Sequence, residues 1–363
     1  MPGPATPSGA RRVVVADDSR LMRRMLADAL GRQGFDVVGT AADGDEALEL
    51  CRQHRPDALT LDLHMPGLDG LGVLRALRDG KAEPVPVVVV SAFSPAHGAY
   101  AVDALAEGAF DLVAKPALGE PLETFTSELG RKVGEAAHSG RVRRAGATRP
   151  AHIAPRRPAP APAPPRLHTP ALSARRTGIG TLVVIASSTG GPRALGELIP
   201  QLPAQLGAGG LLVQHMPPGF TASLAARLDG ASALAVREAR TGDVLESGSL
   251  LVAPGGSHLR LSDDRRLRLA DDAPEGGLKP RADFTIADAA RLFGRRVLLV
   301  VLTGMGKDGL EGAVAVKGAG GRVLVEAEST CTVYGMPRAV AEAGLADAVL
   351  PLDQLGGAIA KEL

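Results

Sequence analysis

Between Arg11 and Leu129, short apolar runs alternate with stretches whose apolar residues return every three or four positions. Val13–Ala16, Val37–Thr40, Ala58–Asp62, Val87–Ser91 and Asp111–Ala114 are short and rich in apolar residues, the signature of buried strands. Between the first two, Leu21, Met22, Met25, Leu26, Ala29 and Leu30 recur at helical spacing, and Gly34 follows as a stop signal. This strand and helix alternation predicts a parallel sheet covered on both faces, and the pattern repeats further on. Thr181–Ala186, Gly210–Gln214, Val297–Thr303 and Arg322–Glu326 again read as strands. One segment breaks the period: HLRLSDDRRLRL alternates every second residue about an Asp/Arg turn and predicts an antiparallel hairpin. Both halves are therefore expected to be α/β, the second a doubly wound, mainly parallel sheet carrying that hairpin.

A compositional change separates the halves. Arg131–Gly178 holds eight prolines, eleven Arg or Lys residues and a single acid, Glu135. Alternating Pro and Ala in APRRPAPAPAPPR cannot bury a core and favours extended geometry. The expected division is a disordered tail over residues 1–10, a first domain over 11–129, a basic linker over 130–178 and a second domain over 179–363. A length of 363 residues fits two cores better than one.

Charge and special residues narrow the function. A net charge of +1 argues against a nucleic-acid binder. The chain has no uncharged apolar run long enough to span a bilayer, and MPGPATPSGA lacks the regions of a signal peptide. Cys51 and Cys331 are too far apart for a disulfide framework or zinc site and read as small buried residues. The expectation is a cytoplasmic protein without membrane insertion.

Candidate chemistry lies at the ends of the expected strands, where doubly wound sheets bind ligands. In the first domain, Asp17 and Asp18 follow the first strand, Asp62 the third, Ser91 the fourth and Lys115 the fifth. Clustered carboxylates repel one another unless a cation neutralises them, and an all-oxygen set suits Mg²⁺. A lysine and a hydroxyl beside them suit a transferred phosphoryl group. VVVADDSRLMRR, LTLDLHMPGLDG, VVVVSAF and FDLVAKP together resemble the response-regulator receiver domain over residues 11–129, which implies a flavodoxin-like fold. By that resemblance Asp62 would accept the phosphoryl group, and Asp17, Asp18, Asp62 and the His64 carbonyl would hold Mg²⁺. Ser91, Phe110 and Lys115 would read the phosphorylated state, and Lys115-Pro116 would form a tight turn in which a cis bond is open.

In the second domain TLVVIASSTGGPRAL runs strand, small-residue turn, helix, which places a serine at a helix N-terminus. The match to a G-x-S-x-G nucleophile elbow is partial, since Ala186 takes the first glycine position. LLVQHMPPGF sets His215 directly after a strand, and LLVVLTGMGKDGL sets Asp308 in a glycine-rich turn after another. A hydroxyl, a base and an acid at one sheet edge are the parts of an acyl-transfer triad. Singly, each could instead be a packing turn, a structural histidine or a helix cap.

GTLVVIASSTGGPRAL, QHMPPGFTASLAARL, LVAPGGSHL, LTGMGKDG and TCTVYGMPRAV resemble the chemotaxis protein-glutamate methylesterase family, CheB, across residues 179–363. Registering SSTGG on the family's ASTGG makes Ser188 the nucleophile, His215 the base and Asp308 its orienter, with Thr189 and the Met305 N–H at the oxyanion. Departures are Ala186, Lys307 within the glycine turn, and GLKPRADF, which keeps Pro280 and Asp283 of the family's RPSVD stretch but puts Arg281 where a small hydroxyl is usual. The resemblance implies a phosphorylation-regulated hydrolase that removes γ-methyl esters from chemoreceptor glutamates, releases methanol and also deamidates glutamines. The hydrolytic site would need no cofactor. Chemoreceptors would be the substrate and a chemotaxis histidine kinase the phosphodonor. The competing expectations are a receiver-coupled phosphate- or nucleotide-binding module and a docking adaptor without activity. Nothing after the linker reads as a DNA-binding helix-turn-helix.

Overall fold

The structure, a computed structural model, describes residues 10–80, 84–92, 95–116, 121–146 and 180–363. They fall into two compact units, one up to residue 146 and one from residue 180.

The first unit alternates β1 (Arg12–Ala16), α1 (Arg20–Arg32), β2 (Asp36–Ala41), α2 (Gly44–His54), β3 (Ala58–Leu61), α3 (Gly70–Arg78), β4 (Val87–Ser91), α4 (Pro95–Ala106), β5 (Asp111–Ala114) and α5 (Leu122–Gly146). Its five strands are all parallel, in the order β2-β1-β3-β4-β5 of a flavodoxin-like sheet. Strands covered on both faces carry unbroken apolar runs, and Val13, Val14, Val15, Val88, Val89 and Val90 are all fully buried. Side chains set where the helices begin. Ser19 accepts from the Met22 N–H to start α1, and Asp43 accepts from the Glu46 N–H to start α2 while Glu46 reaches back to the Ala42 N–H.

Two expectations for this unit need correction, and one open alternative is decided. Leu21 is 79% exposed, because α1 buries Leu26, Ala29 and Leu30 and a residue five positions before Leu26 lies off that stripe. The helix α5 continues well past residue 129, through the start of the expected linker. Val133, Ala136 and Ala137 supply its buried face, and Lys132 is buried against Asp111 Oδ1 at 2.9 Å and the Leu112 carbonyl. The basic composition of that stretch concealed this apolar spacing. Finally, Lys115–Pro116 is trans; the cis bond among the described residues is Lys279–Pro280. The Pro-rich segment over 147–178 and residues 1–9 of the expected tail lie outside the described residues.

The second unit runs β6 (Leu182–Ser187), α6 (Gly191–Leu198), β7 (Gly209–Gln214), α7 (Phe220–Ala231), β8 (Ala235–Glu238), β9 (Ser249–Val252), β10 (His258–Leu261), β11 (Leu267–Ala270), α8 (Ala282–Phe293), β12 (Val297–Val301), α9 (Leu310–Gly318), β13 (Arg322–Glu326), α10 (Met336–Glu342), β14 (Ala348–Leu350) and α11 (Leu352–Lys361). Seven strands form a parallel sheet in the order β14-β13-β12-β6-β7-β9-β8. The strands β10 and β11 form the expected antiparallel hairpin, with His258 opposite Ala270 and Leu261 opposite Leu267. The pattern did not reveal β8, β9 or β14. These strands are three or four residues long, and β8 and β14 lie at the sheet edges with mixed exposure. Core residues on one face include Val184, Leu211 and Leu299 of the sheet with Ile286, Ala289 and Phe293 of α8.

Strand order reverses between β1 and β3 in the first unit and between β12 and β6 in the second. A crevice opens at such a point beyond the carboxyl ends of the strands. All the candidate chemistry of both units follows those strands or their neighbours.

Candidate active site

In the first unit the pairing of Ala16 with Leu61 brings the ends of β1 and β3 abreast. Asp17 is fully buried, Asp62 is buried and Asp18 is exposed, and one carboxylate oxygen from each lies within 4.8 Å of the others. Lys115 Nζ is 2.7 Å from Asp62 Oδ2 and 2.7 Å from Asp17 Oδ2. Its position follows from the β4–β5 ladder, whose last bond is donated by the Lys115 N–H to the Ser91 carbonyl at 2.8 Å. Burial raises the Asp17 carboxyl above its ordinary range against the pull of Lys115. Burial would lower the Lys115 ammonium, but its bonds to Asp17 and Asp62 reverse this and raise it. Three carboxylates facing one ammonium are short of positive charge, and an all-oxygen set fits a divalent cation of the Mg²⁺ class. Ser91 is fully buried with its hydroxyl 3.4 Å from the Ala92 carbonyl, and Phe110 is buried. The His64 N–H lies 3.4 Å from Asp62 Oδ1.

The second unit assembles its site by strand register. Ser187 pairs with Gln214 and Ala186 with Val301, so Ser188, His215 and Thr303 come next on three adjacent strands. The ladder extends just past the strands: the Ser188 N–H donates to the Thr303 carbonyl at 3.0 Å, and the His215 N–H donates to the Ser187 carbonyl at 3.0 Å. Ser188 is half-buried before α6, and its φ is not in the left-handed region; that conformation belongs to Gly190, at φ 80°, two residues on. The turn therefore differs from an elbow strained at the nucleophile. Ala186 is an ordinary buried strand residue, which removes the need for glycine there.

His215 Nε2 is 2.7 Å from Asp308 Oδ2. With Nε2 bonded to a carboxylate, the ring's proton sits there and Nδ1 is the basic nitrogen. Nδ1 is buried and has no hydrogen-bond partner among the described residues, Ser188 included. Asp308 is itself fixed by the N–H groups of Ala282 (2.6 Å), Asp283 (3.0 Å) and Gly309 (3.0 Å). Burial alone would raise the Asp308 carboxyl, but the bond to His215 and its charge, with the Ala282 N–H and the Asp283 side chain, hold it down at about 2. Next to it, burial and the Asp308 charge push Asp283 up to about 6. Thr189 is buried, with its carbonyl accepting from Thr303 Oγ1 at 3.0 Å, while Met305 and Lys307 are exposed. His258 is a structural histidine. It is fully buried, its Nδ1 accepts from the Arg281 N–H at 3.2 Å and its Nε2 lies 3.3 Å from the Ala273 carbonyl.

Several residues essential to this arrangement were passed over or left without a role in the sequence. Gln214 is 2% exposed, accepts from Ser187 Oγ at 2.7 Å and donates to the carbonyls of Ser188 (2.9 Å) and His215 (3.0 Å). Thr303 holds the turn through its carbonyl and hydroxyl, and the fully buried Glu326 accepts the Thr303 N–H at 2.8 Å. Asp283 accepts from the N–H groups of Gly309 (2.9 Å) and Gly312 (2.7 Å), which shapes the loop carrying Asp308. The available signal was a polar residue closing an otherwise apolar strand, as in LLVQ, VVLT and VLVE.

Comparison with known proteins agrees with this division of labour. The family model for the CheB methylesterase matches residues 183–359, and that for the response regulator receiver domain matches residues 13–125. A protein-glutamate methylesterase/protein-glutamine glutaminase of Symbiobacterium thermophilum is 44% identical over 96% of this chain and 96% of its own. This chain belongs to that family. Other members include protein-glutamate methylesterase/protein-glutamine glutaminase 2 of Pseudomonas aeruginosa, 40% identical over 96% of both chains. Protein-glutamate methylesterase/protein-glutamine glutaminase 5 of Myxococcus xanthus is 45% identical over 94% of this chain and 95% of its own. Among solved structures, the Thermotoga maritima CheB methylesterase catalytic domain is 44% identical and covers 51% of this chain and 99% of its own, with a TM-score of 0.49. A phosphate- or nucleotide-binding module would leave Asp308 without work, whereas here it is bonded to His215. No described helix is long and apolar enough to cross a membrane.

Proposed function

We propose that the second unit hydrolyses γ-methyl esters of glutamate on the cytoplasmic domains of chemoreceptors, releasing methanol, and deamidates glutamine at the same site. The reading rests on one observation: Ser188 and the hydrogen-bonded His215–Asp308 pair follow neighbouring strands at the carboxyl edge of the sheet, where the strand order reverses. Ser188 Oγ attacks the ester carbonyl carbon while His215 Nδ1 takes its proton. The tetrahedral oxyanion is met by N–H groups of Thr189 and Met305, aided by the positive end of α6. Collapse expels methoxide, which takes the proton from His215 and leaves as methanol. Water then attacks the acyl-enzyme, His215 accepts its proton, and Ser188 recovers it as the glutamate is freed. Glutamine follows the same steps with ammonia leaving. The negative charge of Asp308 supports the imidazolium formed in each half-reaction.

In the first unit Asp62 accepts a phosphoryl group from a chemotaxis histidine kinase, and this regulates the hydrolase. Asp17, Asp18, Asp62 and the His64 carbonyl would hold Mg²⁺, which when bound neutralises charge on the phosphoryl oxygens. Lys115 pairs with the same oxygens and, with Ser91 and Phe110, reads the phosphorylated state. These roles place the chain in the cytoplasm.

The test is methanol release from methylated receptor by the full chain, with and without a small-molecule phosphodonor and Mg²⁺. Stimulated release should vanish in Ser188→Ala and lose only its stimulation in Asp62→Asn. Folded, phosphorylated protein that releases no methanol would refute the hydrolase.

A further inference from the structure

One strong charge near the triad has no part in the chemistry above. Arg281 stands where the family resemblance expects a small hydroxyl, just before α8. Its guanidinium is 13% exposed and meets four carboxylates: Glu275 at 2.8 Å, Asp283 at 3.1 Å, Glu311 at 3.4 Å and Asp308 at 3.7 Å. Its guanidinium also lies 5.7 Å from the centre of the Phe284 ring. The four contacts are unequal. Glu275 and Glu311 are 55% and 70% exposed, and water screens both, whereas Asp283 and Asp308 are 5% and 2% exposed.

Asp283 and Asp308 share one frame. The Gly309 N–H donates to both carboxylates, and the Asp283 N–H donates to Asp308 Oδ1. Two buried carboxylates this close resist ionising together, and one of them takes a proton unless a cation is present. His215 cannot be that cation, since it must be neutral to accept the Ser188 proton. His258, the other imidazole here, is neutral by its bonds, because its Nδ1 accepts the Arg281 N–H. Among the described residues, Arg281 is the remaining positive group in contact with the pair.

We propose that Arg281 is a positioning residue that keeps Asp283 and Asp308 ionised together, so that undivided negative charge stands behind His215 Nε2 during catalysis. The inference rests on the triad reading above. A proton on the pair would be shared toward Asp308 and weaken its support of the imidazolium. The rise of the Asp283 carboxyl shows how near that state lies, even with Arg281 in place.

The direction of the effect does not depend on where the proton goes. Removing a cation raises the proton affinity of the whole coupled cluster, whether Asp283, Asp308 or His215 takes it up. The working, deprotonated cluster is then lost at a higher pH.

The test compares the full chain with Arg281→Gln and Arg281→Lys by two measurements. The first is the pH profile of kcat for methanol release; the second is an NMR titration of carboxyl-labelled aspartates and of the His215 ring without substrate. Arg281→Gln should move the acid limb of kcat and the cluster titration upward by about one pH unit, the lower end of what one adjacent cation contributes. KM above the limb should stay unchanged, and Arg281→Lys, which keeps the charge, should restore most of the shift. A folded Arg281→Gln whose limb and titration both match the unaltered chain would overturn the proposal, as would a lysine variant no better than the glutamine one. If the unaltered chain releases no methanol but Arg281→Gln still moves the titration, the hydrolase reading fails and the electrostatic role of Arg281 stands.

Discussion

Asp308 grips His215 through Nε2, at 2.7 Å, and thereby makes Nδ1 the nitrogen that takes the serine proton. The carboxylate fixes both the tautomer and the orientation of the ring. Asp308→Asn keeps the size but loses the charge, and its amide can present a donor to Nε2. The expected result is a fall in kcat of about 10³ to 10⁴, the scale of such a loss in other Ser-His-Asp enzymes, with KM little altered. Methanol release at substrate saturation measures it, and a loss below tenfold would show that Asp308 does not orient the base.

Gln214 ties the nucleophile's strand to that of the base. Gln214→Glu keeps the acceptor for Ser187 Oγ but removes both donors to the Ser188 and His215 carbonyls. It should lower kcat about a hundredfold through misplacement of the two groups, with a much smaller change in KM. Gln214→Leu takes away the partner of the buried Ser187 hydroxyl and the Gln214 bond to the His215 carbonyl, while the Ser188 carbonyl keeps the Gly191 N–H at 2.7 Å, and it should lower stability by about 1–3 kcal/mol in denaturant unfolding. An active, unaltered Gln214→Glu protein would dismiss the clamp.

Gly190 combines a left-handed backbone with a close neighbour. At φ 80° a side chain is strained, and a Cβ there would stand 2.4 Å from Thr332 Cβ and Oγ1. Gly190→Ala should cost about 2 kcal/mol or more of stability and also lower kcat, since the turn begins α6 behind Ser188. At Gly304 φ is ordinary, but an added Cβ would stand 2.5 Å from the buried Met336 Sδ and 2.7 Å from Ser188 Cβ, so Gly304→Ala should lower both stability and kcat.

The Asp283–Asp308 pair gives the second unit two opposed pH windows. Asp308, held at about 2 from an ordinary 3.8, adds stability that is fully present above that ordinary value and lost as pH falls through about 2. The shift corresponds to about 2 kcal/mol. Asp283, raised to about 6, acts the other way: the folded state keeps its proton, so this contribution diminishes as pH rises from 3.8 through about 6. Calorimetric scans of the full chain should show Asp308→Asn flattening the lower window and Asp283→Asn the upper one. The same slope in both variants and in the unaltered chain would rule out these assignments.

In the first unit Lys115 occupies the place of positive charge among Asp17, Asp18 and Asp62. Lys115→Ala should bind Mg²⁺ several-fold more tightly, since losing one nearby ammonium is worth about 1 kcal/mol or more at a partly exposed site. Phosphorylation of Asp62 should persist while stimulation of methanol release is lost. Titration calorimetry with Mg²⁺ and the release assay report the two effects, and weaker Mg²⁺ binding would contradict the charge argument.

Much of this was legible in the sequence because it is local. The apolar runs at Val13–Ala16, Val87–Ser91 and Val297–Val301 determine buried parallel strands, and a chemical group directly after such a run must lie at the carboxyl edge of a sheet. Asp17, Asp62, Lys115, Ser188 and His215 were recoverable on that ground, and Asp308 from its glycine turn. What the sequence could not show depends on which strands become neighbours and on which polar atoms meet after the chain has closed. Register decided that Gln214 would hold Ser188 and His215. The approach of α8 decided that Asp283 and Arg281 would crowd Asp308 from residues more than twenty positions away. Lys132, read from composition as part of a linker, became a buried partner of Asp111 because α5 packs its apolar side on the sheet. Strand and helix periodicity act over a few residues, while pairing of buried charge is a property of the assembled interior, so the first was written along the chain and the second only across it.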